Sequence, residues 1–199
     1  LSRAPQHLGF WIGLTGATIG AADTIAAGLA DAMVPSEALP SLLADIASGQ
    51  ALESAIKAHT GDPGVSLLKD NAVLIDSVFA SGDMEEIFAA LQANGSDFAK
   101  STLALLEAKS PTSLVLTLHL LRAAQSSVSL ETCLDREYAA DALILDGHDF
   151  YEGVRAAVID KDRNPIWSPA RLGEVDQEGL VSAIKPLPSL FSTATADDL

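Results

Sequence analysis

The residues best suited to chemistry lie in one stretch, Gly147 to Trp167. It places His148 beside Asp149, then Glu152, then the alternating run Asp160-Lys161-Asp162-Arg163. A histidine next to a carboxylate is raw material for general acid–base catalysis. Adjacent residues do not face each other on a helix, however, which argues against a dyad here. Lys161 and Arg163 are side chains of the type that meets a phosphate, and their neighbours Asp160 and Asp162 dilute that field. Glu85-Glu86 is a pair of carboxylates, but acids in a first helical turn are what the helix dipole favours. His7, His59, His119 and His148 are dispersed, so no metal site is expected. Cys133 is the sole cysteine, which excludes an intrachain disulfide and a cysteine-based zinc site. It falls in a helical apolar pattern and reads as core. The chain has no P-loop, no GxGxxG, no HExxH and no Gly-x-Ser-x-Gly elbow. No nucleophile, base and oxyanion hole come together, so no catalytic residue is assigned within this chain.

The elements that must position these residues are helices. Asp149 followed by Glu152 has capping-box spacing and predicts a helix over 150–159. Phe150, Val154, Ala157 and Val158 form its apolar face, and Pro165 stops any continuation. Pro5 to Leu14 reads as a helix in which Gly9, Gly13 and Gly16 permit close packing against another element. Ala21 to Gly28 reads as a short helix, and Leu29 to Val34 as a short strand ended by Pro35. Helices follow over 36–47, 52–59, 83–93, 97–108, 110–124 and 129–145, with a partly helical stretch over 67–78 and a last helix over 177–184. Ser110-Pro111, a cap followed by proline at the first helical position, is a strong start signal.

Composition narrows the function classes. Of 199 residues, 48% are hydrophobic but only 5% aromatic, so the core must be aliphatic. Twelve basic against 27 acidic residues leave a net charge of −15, which repels nucleic acid and anionic membranes. A local basic pocket for one phosphorylated ligand remains compatible with that charge. No apolar run reaches the roughly 18 residues needed to span a bilayer. The single cysteine suits a reducing compartment, a cytoplasm or an organelle matrix.

Two stretches resemble a known family. Leu14-Thr15-Gly16-Ala17-Thr18-Ile19, then Ala27-Gly28-Leu29-Ala30 and Val34-Pro35, is similar to a signature of the crotonase (enoyl-CoA hydratase/isomerase) superfamily. Glu152-Gly153-Val154-Arg155-Ala156 through Asp160-Lys161 to Trp167 resembles that superfamily's C-terminal pattern. About 115 residues separate the two, a spacing that resembles the 3-hydroxyisobutyryl-CoA hydrolases. Further matches are Met84-Glu85-Glu86-Ile87, Ser110-Pro111-Thr112-Ser113-Leu114, Glu137-Tyr138 and Gly147-His148-Asp149-Phe150. The resemblance covers residues 1–185. It implies the C-terminal helical part of an α/β crotonase fold: mainly α, with at most one or two short strands. It divides the chain into the end of the crotonase core (1–35), a C-terminal helical region (36–185) and a mobile tail (186–199).

The resemblance also implies a chemistry. In the family, an upstream β-β-α spiral supplies the oxyanion hole, a catalytic Glu and an Asp shortly before the position of Leu1. These are absent from the sequence, so the chain is expected to be inactive alone and to self-associate through surface the spiral would cover. The whole enzyme would hydrolyse the thioester of 3-hydroxyisobutyryl-CoA, in valine breakdown, with no metal and no cofactor beyond the CoA of its substrate. Lys161 aligns with a superfamily lysine near the CoA adenine and phosphates, and Val158 stands where hydratases carry an accompanying aromatic. Phe150 and Trp167 are expected to pack. A hydratase or isomerase of the same superfamily, and a non-catalytic helical assembly module, are the alternatives.

Overall fold

The computed structural model describes residues 1–185 and 187–191. Within them the chain forms twelve α-helices and no strand. In order these are α1 (Leu8–Thr15), α2 (Ala21–Ala26), α3 (Leu39–Ala47), α4 (Leu52–His59), α5 (Leu67–Asp70) and α6 (Ala72–Phe79). Then come α7 (Met84–Asn94), α8 (Asp97–Glu107), α9 (Pro111–Gln125), α10 (Leu130–Leu145), α11 (His148–Val154) and α12 (Gln177–Ser182).

The helix starts follow local chemistry. Asp83, Ser96, Ser110 and Ser129 each accept a hydrogen bond from a first-turn N–H of α7, α8, α9 and α10. Such a side chain satisfies a donor the helix itself leaves unpaired. At α7 the reciprocal half of the box is altered. Glu86 accepts from Ser81 Oγ at 2.6 Å, and Ser81 Oγ takes the Asp83 N–H at 3.0 Å.

The core is built around α1. Leu8, Phe10, Trp11 and Leu14 are buried on several sides of this helix, which is apolar nearly all round, as a fully enclosed helix must be. They pack with Ile75, Val78 and Phe79 of α6, Ile87 and Leu91 of α7, and Leu114 and Leu118 of α9. Two of the buried side chains pair here: Trp11 Nε1 donates to Thr102 Oγ1 at 3.0 Å, and Thr15 Oγ1 to Trp11 O at 2.7 Å. The Arg122 guanidinium lies 4.5 Å from the Phe10 ring centre and donates to the Phe79 and Ser81 carbonyls. It thereby closes the C-terminal end of α6, and burial lowers its pKa. The cluster draws residues from both 1–35 and 36–185.

Three expectations are corrected. Leu29 to Val34 is not a strand; no other strand in the described chain offers a ladder, and its Met33 carbonyl instead takes the Gly61 N–H at 2.9 Å. The first α-helix begins at Leu8 rather than Pro5, because Gln6 and His7 hold left-handed conformations (φ 50° and 53°). The third, at 150–159, belongs to the site described below. The stretch 67–78, expected to be partly helical, forms α5 and α6 with a break at Asn71, whose φ of −108° and ψ of 11° lie outside the helical well. Of the tail expected over 186–199, Leu190 N donates to Asp135 Oδ1 at 2.8 Å. Pro186 and residues 192–199 lie outside the described residues.

The close-packing role expected of the α1 glycines has a clear instance. A Cβ added at Gly9 would collide with the Leu1 backbone, which folds back over α1. Backbone has little room to yield, so Gly9→Ala should cost about 1–3 kcal/mol, the range for overpacking. A urea midpoint unchanged from wild type would show that the N-terminal lead does not sit on α1.

Candidate ligand-facing site

The stretch with the chemical residues folds as α11, a single π-turn over Arg155–Ile159 and an extended return to Trp167. The helix starts two residues earlier than its pattern indicates, with Gly147 and not Asp149 at the N-cap. Asp149 is instead buried in the first turn, with 8% of its side chain exposed. Its carboxylate accepts from Ser110 Oγ at 2.5 Å, from the Ser168 N–H at 2.8 Å and from His148 Nδ1 at 3.0 Å. The neighbouring pair His148–Asp149 therefore does meet, contrary to expectation, because the imidazole folds along the first turn toward the carboxylate.

Ser110, Asp149 and His148 are the three residue types of a hydrolytic triad, but in the wrong order. The carboxylate sits between the serine and the imidazole, so the histidine is not positioned to take the serine proton. Ser110 Oγ also accepts the Ser113 N–H at 3.1 Å, as the α9 cap. The cluster is a brace that ties together the start of α9, the start of α11 and the returning segment at Ser168.

The second cluster centres on Arg155, a residue to which sequence reasoning assigned no role. Its Nε and Nη2 grip Glu152 in a fork, at 2.9 Å and 2.7 Å. Its Nη1 reaches Asp160 and Asp162, both at 2.7 Å, and Nη2 also reaches the Asn164 carbonyl at 3.2 Å. Glu152 in turn accepts the Ile166 N–H at 2.7 Å. The π-turn sets this up. Its wider i→i+5 bond, Asp160 N to Arg155 O at 2.8 Å, re-aims the chain just before the charged run. The only signal in the sequence was one cation flanked by acids three, five and seven residues away.

Lys161 and Arg163 emerge from this turn with left-handed backbones, φ 58° and 54°. Both are exposed, and neither side chain makes a hydrogen bond or ion pair among the described residues. The structure thus brings Lys161 and Arg163 to one surface turn, apart from Glu85 and Glu86, which serve the start of α7. His7 and His59 are also spent elsewhere, on Asp76 and Asp45, each at 2.7 Å. Cys133 is half-buried. Among the described residues, no three metal-binding side chains converge, and no helix is long and apolar enough to cross a membrane.

The apolar face predicted for 150–159 is not buried. Phe150 and Val158 are 41% and 62% exposed, and the buried positions are Asp149 and Ala156. Phe150, Val154, Val158, Trp167, Ser113 and the Lys109 stem line an open groove of about 430 Å³. Trp167 fills one end: its Nε1 donates to Ala108 O at 3.2 Å, and its ring lies 3.5 Å from where a Gly153 Cβ would stand. Trp167 packs as expected. Phe150 faces the groove, in edge contact with Tyr151 at 5.4 Å.

The Arg155 fork holds the Glu152 carboxyl at about 2, well below its ordinary value near 4.5, with the Ile166 N–H as second cause. Asp162 is lowered too, first by Arg155 and then by the Asn164 N–H, and the Arg155 pKa is raised by its three carboxylates. A carboxylate whose folded pKa is depressed stabilises the fold above the unfolded pKa and ceases to as pH falls through the folded one. The network should therefore persist from neutral pH to below pH 4.5 and be lost toward pH 2. A carbon-13 titration of the Glu152 carboxyl, with His148, Asp160 and Asp162 followed beside it, checks this. A Glu152 midpoint near 4.5 would show that the fork does not hold in solution.

Comparison with known proteins adds identity to this geometry. The enoyl-CoA hydratase/isomerase family profile matches residues 1–184. The 3-hydroxyisobutyryl-CoA hydrolase, mitochondrial, of Gallus gallus is 38% identical over 94% of this chain and 51% of its own length. That of Homo sapiens is 36% identical over 95% of this chain and 51% of its own. The chain thus spans about half the length of the curated relatives it matches. Among solved structures, a carnitinyl-CoA dehydratase from Mycobacterium thermoresistibile superposes with a TM-score of 0.85 at 33% identity, over 94% of this chain and 53% of that one. An enoyl-CoA hydratase from Rhodobacter sphaeroides gives 0.82 at 36% identity, with the same coverage. The ordered motifs, the helical bundle and the profile match agree, and the chain belongs to the enoyl-CoA hydratase/isomerase (crotonase) family.

Proposed function

We propose that this chain supplies the C-terminal helical portion of an acyl-CoA thioester hydrolase that acts on 3-hydroxyisobutyryl-CoA. The observation that carries the reading is the collinear match to relatives named for that reaction, over nearly all of this chain and half of theirs. On this reading the carboxylates and the oxyanion hole that perform the cleavage belong to the half of the fold the chain does not contain. The described helices then contribute the scaffold and one edge of the substrate site. Lys161, on its exposed turn, contacts the phosphates or adenine of the CoA. No metal or cofactor enters the reaction. The relatives are mitochondrial by name, which favours the matrix over the cytoplasm as the compartment for a eukaryotic enzyme. The test assays CoA release from 3-hydroxyisobutyryl-CoA by the complete gene product and by the 199-residue chain side by side. Activity in the first and none in the second supports the reading.

Two other readings each have an observation in their favour. The solved relatives are named as a dehydratase and a hydratase, so hydration of an enoyl-CoA is the rival chemistry, and a hydration assay on the complete protein separates the two. The exposed apolar face of α11 favours self-association as a helical assembly module. A monodisperse monomer in sedimentation would rule that out.

A further inference from the structure

We propose that Arg155 is a positioning residue: by engaging Glu152, Asp160 and Asp162 it converts an acidic turn into one on which Lys161 and Arg163 together face a phosphorylated ligand. The inference rests on the proposed CoA reading and extends it to two residues, Arg155 and Arg163, with distinct jobs.

The electrostatic difficulty is local. The chain carries −15, and the turn alternates acid and base. Left to itself, each aspartate would sit as near to an incoming phosphate as the lysine between them. The structure resolves this with direction. Asp160 and Asp162 fold back onto the Arg155 Nη1, both at 2.7 Å, on the side of the turn that faces α11. Asp162 also accepts the Asn164 N–H at 2.9 Å, and the Arg163 N–H bonds Ala156 O at 3.0 Å, so the turn is pinned to the π-turn beneath it. Lys161 and Arg163, the residues that alternate with those aspartates, are exposed and uncommitted.

Non-glycine residues rarely adopt a positive φ, and here two do so with one residue between them, φ 58° at Lys161 and 54° at Arg163. Such conformations persist where the surroundings over-determine them, which the Arg155 network does. A guanidinium suits the task because its planar fork can bind several carboxylates at once while its charge cannot be lost. Over residues 152–163, with Arg155 in place, three carboxylates meet three cations; without it, the acids outnumber the bases. Unit charges about 6 Å apart still interact in water, and a multiply charged phosphate multiplies the effect, so removing Arg155 should weaken binding by about an order of magnitude.

The probe is adenosine 3′,5′-bisphosphate, titrated into the nitrogen-15-labelled 199-residue chain at low salt, with adenosine as the uncharged control. Wild type should show saturable shifts at the Lys161 and Arg163 amides with the bisphosphate and not with adenosine. Arg155→Gln should weaken binding about tenfold, and the gap should shrink at 0.5 M salt, where the Debye length is only about 4 Å. Arg155→Lys, which keeps the charge but loses the fork, should fall between wild type and Arg155→Gln. Adding Asp160→Asn and Asp162→Asn to Arg155→Gln should restore the lost affinity, which a purely structural role for Arg155 would not allow. Wild-type affinity in Arg155→Gln, or no rescue by the asparagines, overturns the inference and leaves the CoA reading standing. No saturable shift in wild type overturns the CoA contact itself, and the inference with it.

Discussion

Given 3-hydroxyisobutyryl-CoA, the isolated 199-residue chain should release no CoA above the buffer rate. Thioester cleavage needs an activated nucleophile and donors aimed at the developing oxyanion. Loss of a single oxyanion donor typically costs about 10²–10³ in rate, and loss of the whole constellation removes the catalysis. Ser110 donates to Asp149, Ser129 caps α10, and three of the four histidines are hydrogen-bonded to aspartates. The Ser110–Asp149–His148 cluster has the residues of a triad without its order, so it offers no alkoxide. Chromatography of the released CoA reads the reaction without interference from the Cys133 thiol. CoA production that scales with chain concentration and survives rigorous purification would sink the proposal that the catalytic half lies elsewhere. The complete gene product supplies the positive arm of the comparison.

Asp149→Ala should be the most damaging single substitution in the C-terminal stretch, lowering stability by about 3 kcal/mol. The estimate follows from what the carboxylate does. It is nearly buried and accepts three hydrogen bonds, from Ser110 Oγ, the Ser168 N–H and His148 Nδ1. Hydrogen bonds to a charged group are worth more than neutral ones, and a buried donor left without its acceptor carries its full desolvation penalty. Truncation also frees the return segment at Ser168 from α11, so Trp167 should loosen over Gly153 as well. Chemical denaturation measures the first effect and Trp167 fluorescence the second, against Trp11 in the core as an internal reference. A loss below about 1 kcal/mol, the worth of one ordinary hydrogen bond, would show that the brace is not formed in solution.

Much of the fold was legible because its signals are local. Caps such as Asp83 and Ser110 act on N–H groups two or three residues away, and the Ser110-Pro111 start needs no partner to be read. The α1 glycines announced a close neighbour, although the sequence did not say that the neighbour was the backbone of Leu1. The short apolar run at Leu29 to Val34 misled for the matching reason: a strand exists only where another strand pairs with it, and none does among the described residues. The α11 stretch misled differently. Its periodic apolar residues indicated a buried face, yet Phe150 and Val158 are exposed, because neighbouring chain covers the other side of the helix, where Asp149 and Ala156 lie.

By itself, the sequence determined that this is a helical, acidic chain with the motifs of the crotonase family, and it raised the expectation that Lys161 meets a phosphorylated ligand. Those properties reside in residue types, spacing and caps, which act over a few positions. Only the tertiary structure decided that Asp149 is a buried brace rather than a helix cap. Its partners Ser110 and Ser168 come from 39 and 19 residues away in the chain. Likewise only the structure turned Asp160 and Asp162 toward Arg155 and left Lys161 and Arg163 facing outward. A run of alternating charges has no intrinsic direction; a π-turn and one guanidinium supply it, and the electrostatics of the turn follow from where they stand.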